Sequence, residues 1–470
     1  MMRNFWIVAM VLIICRLLSA WIFPTFDDAF ITYRYAVNFA SGNGLVYNAG
    51  ERVMGTTAPL FAFIAYLPTL LGLPVQKFFV FFNLGCDVFS LYIAYTFIFK
   101  NTPFAFVVLG LFFAGDPMIN RVSVGGMEAN LFLAVSLSGL IFYQSKKKVL
   151  AFILLSAAYF LRPEAGILVV ILLCYDMYTT GKLPLKYAVI SLLVVSVPIF
   201  FIYSYYGQAL PQSIIAKSTM GRESLHNLIR NIFFPDPFFY IYIPLAIYGF
   251  IRQFSKNVYC FLLGIWAFCF GMAYIIKGPF IWSWYPYSIE FSVLVLAAIG
   301  LHDLTQRVLM KRHALTLSRY QILLPLAALP LWIGLLTYKG RSGVEANVYR
   351  QLDKDFTSDT KIRNQIIFAD DIGAIGYFTK AYMYDDLALI TPRALQYKTT
   401  VSRIINSKAD YLFIYADPNY INMIKTDSTI GKMYSFYKRY SIKGEKDQPV
   451  EKGEPGFRSY SQDYVLFKRN

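Results

Sequence analysis

The sequence predicts an α-helical polytopic membrane protein with about 11 transmembrane helices and a C-terminal extracytoplasmic α/β domain. Three observations support this fold class. The 470 residues are 57% hydrophobic and 18% aromatic, well above the values of a soluble globular chain. Long apolar runs recur through residues 1–338. From residue 339 onward the composition becomes polar, and strand-like runs alternate with helix-like ones.

Most of the apolar runs are long enough to be transmembrane helices, and the positive-inside rule requires two shorter helices to cross between Lys148 and Lys182. We place the spans at residues 5–23, 77–99, 102–118, 127–144, 149–161, 165–178, 187–205, 236–252, 258–276, 285–303 and 320–338. This assignment predicts a transmembrane catalytic domain over residues 1–338 and a soluble domain over residues 339–470.

Segment 59–72 is also apolar, but prolines interrupt it, so we predict an interfacial or re-entrant helix inside the first outer loop, residues 24–76. The positive-inside rule supports this choice. Counting segment 59–72 as a span would move nearly all the Lys and Arg clusters to the outer side. The resulting topology has a cytoplasmic N-terminus and an extracytoplasmic C-terminal domain.

The net charge is +16, with 44 Lys and Arg residues. Cytoplasmic loops rich in Lys and Arg explain this excess in a membrane protein. A nucleic-acid partner is not predicted, because it would need a clustered basic face. The five cysteines lie within apolar runs and the three histidines are far apart, so neither a disulfide framework nor a His-based metal site is predicted.

Two adjacent carboxylates, Asp27 and Asp28, follow the first predicted span directly. Asp27 suits an N-cap and Gly42 a helix end, so we expect a surface helix over residues 28–40. Such a pair is either a helix cap or a catalytic group. Its position at the outer interface favours catalysis. Glycosyl transfer needs such a group, because the acceptor hydroxyl that attacks the anomeric carbon of a sugar must lose its proton to a base within hydrogen-bond reach.

The segment 26–57 resembles the signature loop of the GT-C superfamily of polyprenyl-phosphate-sugar glycosyltransferases. Its runs DDAFITYRYA, GNGLVYN and GERVMGTT are similar to those of the arabinofuranosyltransferases of bacterial cell-wall arabinan synthesis and their wider relatives. Later motifs agree with this resemblance: GGMEANLF at 125–132, LRPEAG at 161–166, YYGQALPQSIIAK at 205–217, WSWYP at 282–286 and DDIGAIGYF at 370–378.

The resemblance implies an inverting transfer, with a polyprenyl-phosphate sugar as donor and a cell-envelope glycan as acceptor, on the outer side of a bacterial cytoplasmic (inner) membrane. It implies that Asp27 is the base and that Asp28 orients the acceptor or Asp27. The sugar would be arabinofuranose, although the superfamily also uses mannose, glucose, galactose and aminoarabinose. No cofactor or metal is expected, because Arg and Lys can activate a monophosphate donor. The matching motifs also contain candidate substrate-binding residues, Arg34, Glu51, Arg52 and Tyr206.

Three charged residues of the later motifs have two interpretations each. Glu128 is either the second acidic position of the superfamily or a helix cap. Arg162 needs an anion near the membrane, which is either the donor phosphate or Glu164. Lys217 either binds the donor phosphate or is a solvated loop residue.

Three further features leave alternatives open. Trp284 and Tyr285 belong either to an aromatic belt or to a surface that stacks on the sugar or prenyl chain. Asp87 lies in mid-span, where a protonated packing hydrogen bond and a catalytic role are equally compatible with the sequence. The pair at residues 370–371 follows a predicted strand and is interpreted as a turn rather than a metal site.

Two other functions compete with glycosyl transfer. A membrane transporter of glycans or lipids should show inverted repeats, and the sequence contains no such symmetry. A ligase that joins whole glycans from a lipid diphosphate should use basic rather than acidic catalytic groups. The acidic pair therefore favours the glycosyltransferase.

Overall fold

The computed structural model describes residues 2–309, 344–357, 359–441 and 463–470. The chain divides into two compact units. The helical unit consists of Met1–Trp21, Phe79–Phe200 and Gly221–Lys339, and the mixed unit of Ile22–Phe78, Phe201–Met220 and Gly340–Asn470. The predicted span at residues 320–338 and the predicted domain boundary after residue 338 lie outside the described residues and stay predictions.

Helices follow one another over the first 309 residues. They are α1 (Met2–Ile22), α2 (Asp27–Ala40), α3 (Pro59–Leu70), α4 (Val75–Ile93), α5 (Pro103–Gly115), α6 (Pro117–Val124), α7 (Ala129–Gln144), α8 (Lys148–Ala157), α9 (Ala165–Thr180), α10 (Leu185–Tyr206), α11 (Gln212–Ser218), α12 (Leu225–Phe233), α13 (Phe239–Gln253), α14 (Val258–Lys277) and α15 (Tyr287–Leu309).

Within the described residues, five helices are long and apolar enough to cross a membrane, and the number is six if the pair α5 and α6, bent by 67°, is counted as one broken span. The bend occurs because Pro117 starts a new helix, which Asp116 caps by accepting a hydrogen bond from the N–H of Ile119 at 3.0 Å. Shorter apolar helices include α7, α8 and α9. The predicted multi-pass helical architecture is confirmed, whereas the number of eleven spans stays a prediction.

Glycines allow close helix packing inside the helical unit. A Cβ at Gly249 of α13 would overlap the main-chain oxygen of Leu296, and a Cβ at Gly300 of α15 would overlap that of Leu245. The two helices therefore cross backbone to backbone. Small residues serve this purpose at helix interfaces in membranes, where dispersion contacts rather than the hydrophobic effect favour association.

A buried ion pair connects α1 to α4. Arg16 donates to Asp87 at 2.8 Å, and both side chains are fully buried. Asp87 also accepts hydrogen bonds from Asn130 at 2.8 Å and from the Tyr287 hydroxyl at 2.7 Å. Of the two interpretations of Asp87, these contacts agree with a packing role between helices, in which the Arg16 guanidinium is its partner.

The mixed unit contains a five-stranded sheet after residue 365, which confirms the α/β character predicted for the C-terminal region. The strands are β1 (Ile366–Ala369), β2 (Tyr382–Asp385), β3 (Tyr411–Tyr415), β4 (Tyr434–Tyr440) and β5 (Tyr464–Arg469). Their order is β2-β1-β3-β5-β4, with β2, β1 and β3 parallel and β5 antiparallel to both β3 and β4. Around them lie α16 (Val344–Phe356), α17 (Gly373–Thr379), α18 (Thr400–Ser407), α19 (Pro418–Thr426) and α20 (Ile430–Met433).

Candidate active site

Asp27 binds the start of another helix instead of capping its own. Helix α2 begins at Asp27, and its N-cap is Phe26, so the prediction of a helix that starts at residue 28 with Asp27 as cap is wrong by one position. The two carboxylate oxygens of Asp27 accept hydrogen bonds from the backbone N–H groups of Gly373 at 2.8 Å and Ala374 at 2.7 Å. These N–H groups belong to the first turn of α17, where a helix offers donors without intrahelical partners.

Glycine at position 373 permits this approach. A Cβ there would overlap the main-chain oxygen of Asp27. The aromatic ring of Phe30, one turn further along α2, packs against Tyr377 and Phe378 of α17, with centroid distances of 5.3 and 5.5 Å. The contact between α2 and α17 therefore combines a buried carboxylate with an aromatic cluster.

Three carboxyl groups gather at this contact: Asp27, Asp28 and Asp371, which we call the acidic cluster. Burial raises the pKa of Asp27 well above its usual value, and the negative charges of Asp371 and Asp28 raise it further. Burial also raises the pKa of Asp371, to about 6, with a contribution from Asp28. The Tyr464 hydroxyl of β5 opposes this rise by donating to Asp371 at 2.6 Å.

Lys217 supplies positive charge to the acidic cluster. Burial raises the pKa of Asp28, and the charge of Lys217 on α11 counteracts part of this effect. Helix α11 is fixed within the mixed unit because the N–H of Gln212 donates to the oxygen of Met54 at 2.7 Å and its side-chain amide donates to Ala388 at 3.1 Å. A Lys beside ionisable carboxyls is suited to holding an anionic group of a substrate.

Arg34 holds α2 and the following loop against the C-terminal sheet. Its guanidinium donates to the backbone oxygens of Tyr47 at 2.8 Å, Gly376 at 2.6 Å and Ala381 at 2.5 Å. These contacts explain why the side chain is buried. A role of Arg34 in substrate binding, suggested by its motif, stays a prediction.

Three other residues of the matching motifs also make contacts within the mixed unit. Glu51 accepts a hydrogen bond from the Tyr382 hydroxyl at 2.6 Å. Arg52 lies over the ring of Tyr205 at 4.7 Å, and the Tyr206 hydroxyl donates to the oxygen of Leu45 at 2.5 Å. Their predicted contacts with substrate stay predictions.

The helical unit contains the second group of candidate residues, Arg162, Glu128 and Glu164, which we call the arginine cluster. Arg162 donates to Glu128 at 3.0 Å and to Glu164 at 3.1 Å. It also donates to the backbone oxygen of Trp284 at 3.4 Å and lies 5.0 Å from the ring centre of Tyr285. The sequence offered Glu164 or a phosphate as partner of Arg162, and the structure provides two carboxylates.

Glu128 occupies the N-cap position of α7, but its side chain makes no capping hydrogen bond. The interpretation of Glu128 as a cap is therefore wrong, because its carboxylate pairs with Arg162 instead. A direct role of Arg162 in phosphate binding stays a prediction, as does stacking of Trp284 or Tyr285 on a substrate.

Sequence reasoning missed Asp371 as a member of the site. Strand β1 ends at Ala369 and a turn follows, as predicted. Asp370 accepts hydrogen bonds from the N–H of Tyr415 at 3.1 Å and from the Tyr420 hydroxyl at 3.0 Å, which suits a structural role. Asp371 instead acts on Asp27 through its charge. The signal in the sequence was the second Asp-Asp pair, at residues 370–371, but its interpretation as a turn was sufficient to explain it.

Metal binding has no direct support within the described part of the chain, where no group of three His, Cys, Asp or Glu side chains could hold a metal ion. The expectation that the reaction needs no metal nevertheless stays a prediction.

No protein-family model matches the sequence, and no curated protein matches it significantly. Solved structures do match the fold. The ArnT of Cupriavidus metallidurans bound to undecaprenyl phosphate has a TM-score of 0.62 and 12% identity, over 98% of this chain and 97% of that one. The oligosaccharyltransferase of Archaeoglobus fulgidus has a TM-score of 0.59 and 12% identity, over 94% of this chain and 73% of that one.

The mycobacterial arabinofuranosyltransferase AftD is more distant. It has a TM-score of 0.44 and 10% identity, over 98% of this chain and 39% of that one, and this similarity is too low to support an argument about the sugar. The neighbours with TM-scores of 0.62 and 0.59 are both GT-C glycosyltransferases. The chain therefore has the GT-C fold that these two structures share.

Proposed function

We propose that the protein is an inverting glycosyltransferase that moves a sugar from a polyprenyl-phosphate donor to a cell-envelope glycan. The observation that carries this proposal is the acidic cluster beside Lys217 in the mixed unit. Such a site combines a base for the acceptor hydroxyl with a cation for the leaving phosphate. The GT-C fold and its motifs support the proposal.

In the proposed reaction, the acceptor oxygen forms a bond to the anomeric carbon from the face opposite the phosphate. The bond between the anomeric carbon and the phosphate oxygen breaks, and polyprenyl phosphate leaves with the bonding electron pair. The acceptor proton passes to a carboxylate of the acidic cluster. Attack from the opposite face inverts the anomeric configuration.

Asp27 is the better candidate for the base than Asp28. Its pKa is raised well above the usual value by burial and by Asp371, which brings its basicity towards that of an efficient general base. The N–H groups of Gly373 and Ala374 fix the orientation of its carboxylate, and each oxygen keeps a further lone pair for a proton. Asp28 is half-buried and lies near Lys217, which suits the role of orienting an acceptor.

Lys217 is the better candidate for the donor phosphate than Arg162. Glu128 and Glu164 already give Arg162 two carboxylate partners, so the arginine cluster carries a net negative charge when all three groups are ionised. A phosphate would have to displace one of them. Lys217 shares its unit with Asp27 and Asp28, so a group that receives the proton and a group that stabilises the leaving phosphate belong to one site.

The donor lipid, the compartment and the sugar are proposed from the similarities. One structural neighbour is bound to undecaprenyl phosphate. We therefore take a polyprenyl monophosphate as the carrier and the outer side of a bacterial inner membrane as the site of reaction. Arabinofuranose is the sugar suggested by the motifs in segment 26–57.

Transfer by purified protein tests the proposal. The protein, reconstituted in bacterial lipid, is incubated with a panel of polyprenyl-monophosphate sugars and envelope glycan fragments, and products are followed by mass spectrometry. We expect a glycosylated acceptor of inverted configuration and release of polyprenyl monophosphate. Transfer only from diphosphate donors would favour the ligase, and movement of intact lipid-linked glycan across the membrane without transfer would favour the transporter.

A further inference from the structure

We propose that Asp371 is a positioning residue for glycosyl transfer: it places a second carboxylate beside Asp27 and thereby keeps Asp27 an effective proton acceptor. The inference rests on the proposed function and adds a role for a residue of the C-terminal sheet domain. It applies to the acidic cluster within the mixed unit.

One short turn carries two kinds of group that change the pKa of Asp27 in opposite directions. Asp371 lies two residues before Gly373, so the turn that presents the N–H groups of α17 to Asp27 also carries the Asp371 carboxylate. Tyr464 of β5 donates to that carboxylate at 2.6 Å. Asp371 is therefore held by a hydrogen bond from the sheet, and its charge acts on Asp27.

The two influences act on proton affinity with opposite sign. Hydrogen bonds from the N–H groups of Gly373 and Ala374 stabilise the ionised carboxylate and lower the pKa of Asp27. A base held in this way alone would be weak, because a helix N-terminus favours negative charge. Burial and the negative charge of Asp371 raise the pKa of Asp27 and more than offset the two hydrogen bonds.

Other charged and titratable groups near the pair come from each neighbouring element. Asp28 of α2 raises the pKa of both Asp27 and Asp371, and Lys217 of α11 acts on Asp28. The hydroxyls of Tyr464 and Tyr415 lower the pKa of Asp371, and the Tyr47 and Tyr464 hydroxyls interact with Asp27. These groups remain present in each variant below unless the variant replaces them.

The test compares Asp371→Asn with Asp370→Asn. Asp370 is the matched control, because it is the adjacent buried carboxyl and accepts hydrogen bonds from Tyr415 and Tyr420. For Asp371→Asn we expect the acid limb of the kcat/KM profile to move to lower pH by about one unit, because a neighbouring like charge is lost. The plateau should fall about tenfold, because Asp27 becomes a weaker base. Asp370→Asn should leave the limb in place.

A second readout does not require activity. Protonated carboxyls react with carbodiimides, and mass spectrometry with fragmentation measures labelling of Asp27 separately from Asp28. The pH midpoint for labelling of Asp27 should be lower in Asp371→Asn than in the wild type. Tyr464→Phe, which removes the hydroxyl that stabilises ionised Asp371, should shift the midpoint in the same direction by less.

The outcomes separate the inference from the proposed function. The inference would be overturned if Asp371→Asn left both the acid limb of the kcat/KM profile and the pH midpoint for labelling of Asp27 unchanged. This holds even if activity fell at all pH values, since a purely structural role predicts that pattern. A wild-type protein without transferase activity whose labelling midpoint still depends on Asp371 would overturn the proposed function, while the electrostatic coupling of Asp371 to Asp27 would stand.

Discussion

Two ion-paired groups of the helical unit and the acidic cluster of the mixed unit are opposite arrangements of buried charge. In the helical unit Arg16 pairs with Asp87, and Arg162 pairs with Glu128 and Glu164. In the mixed unit Asp27, Asp28 and Asp371 bring like charges together, and the pKa of each is raised. Opposite charges compensate the cost of burial, whereas like charges add to it.

The ion pairs hold helices together, whereas the acidic cluster has the properties expected of a candidate active site. A buried ion pair between distant helices specifies which helices meet, and removing one partner leaves an uncompensated charge. A group of buried carboxyls gains no such compensation, and perturbed carboxyls of this kind concentrate at functional sites. We therefore expect substitutions in the acidic cluster to affect activity first and substitutions in the Arg16–Asp87 ion pair to affect stability first.

The largest expected effect is on catalysis. Asp27→Asn should reduce kcat by about 10²- to 10⁴-fold, because an amide cannot accept the acceptor proton. Asp28→Asn serves as the control and should reduce kcat less. Both are measured as initial rates with the donor that the panel of polyprenyl-monophosphate sugars identifies. The folded fractions of the two variants are matched by size-exclusion chromatography. Full activity of Asp27→Asn would remove Asp27 from the role of base.

The next effect is on stability. Arg16→Leu should lower the free energy of unfolding by about 3–5 kcal/mol, because Asp87 is left buried without its counter-charge. The measurement is thermal or denaturant unfolding in detergent. The double variant Arg16→Leu with Asp87→Leu should recover most of the loss. A double variant as unstable as Arg16→Leu alone would show that the network around Tyr287, rather than the ion pair, stabilises this region.

A smaller effect is expected on donor binding. Lys217→Ala should raise KM for the donor about tenfold, the order of one charge-assisted hydrogen bond, with little change in unfolding temperature. Lys217→Arg should retain much of the wild-type KM, since it keeps the positive charge. An unchanged KM in Lys217→Ala would make Arg162 the better candidate for binding the donor phosphate.

The smallest expected effect is on the pH dependence of stability. Asp371 has a pKa of about 6 in the folded protein against an ordinary 3.8. A carboxyl with a raised pKa stabilises the fold fully below the ordinary value, and this contribution is lost as pH rises through about 6. The unfolding temperature should therefore fall by about 2–4 °C across this window. Asp371→Asn should show a smaller fall, and an identical slope in both proteins would contradict the assignment.

The fold was largely predictable because helix length and hydropathy are local properties. The predicted spans at 165–178 and 258–276 coincide with α9 and α14 within two residues at each end. The bend at Asp116 was not predicted, because the apolar run continues through it and only the Pro-driven restart of the helix breaks it. The polar C-terminal composition was sufficient to predict strands but not their order.

The site was predictable only in part because its contacts are not local. Asp27 and Asp28 are adjacent in sequence and could be recognised as a pair. The partner of Asp27 is 346 residues away, and the partner of Asp87 is 71 residues away on a helix whose pattern marks it only as apolar. No periodicity or spacing reports such contacts. Asp371, which lies just before α17, was therefore interpreted only as part of a turn.

The hydrogen bonds from α17 to Asp27 have a consequence for exchanging parts between relatives. The proposed base lies at the start of α2, and the groups that orient it belong to α17, beside the C-terminal sheet. A chimera that replaces that domain would also replace part of the catalytic environment. Grafts should therefore retain segments 26–57 and 370–378 from one parent, even when the remaining surface comes from another.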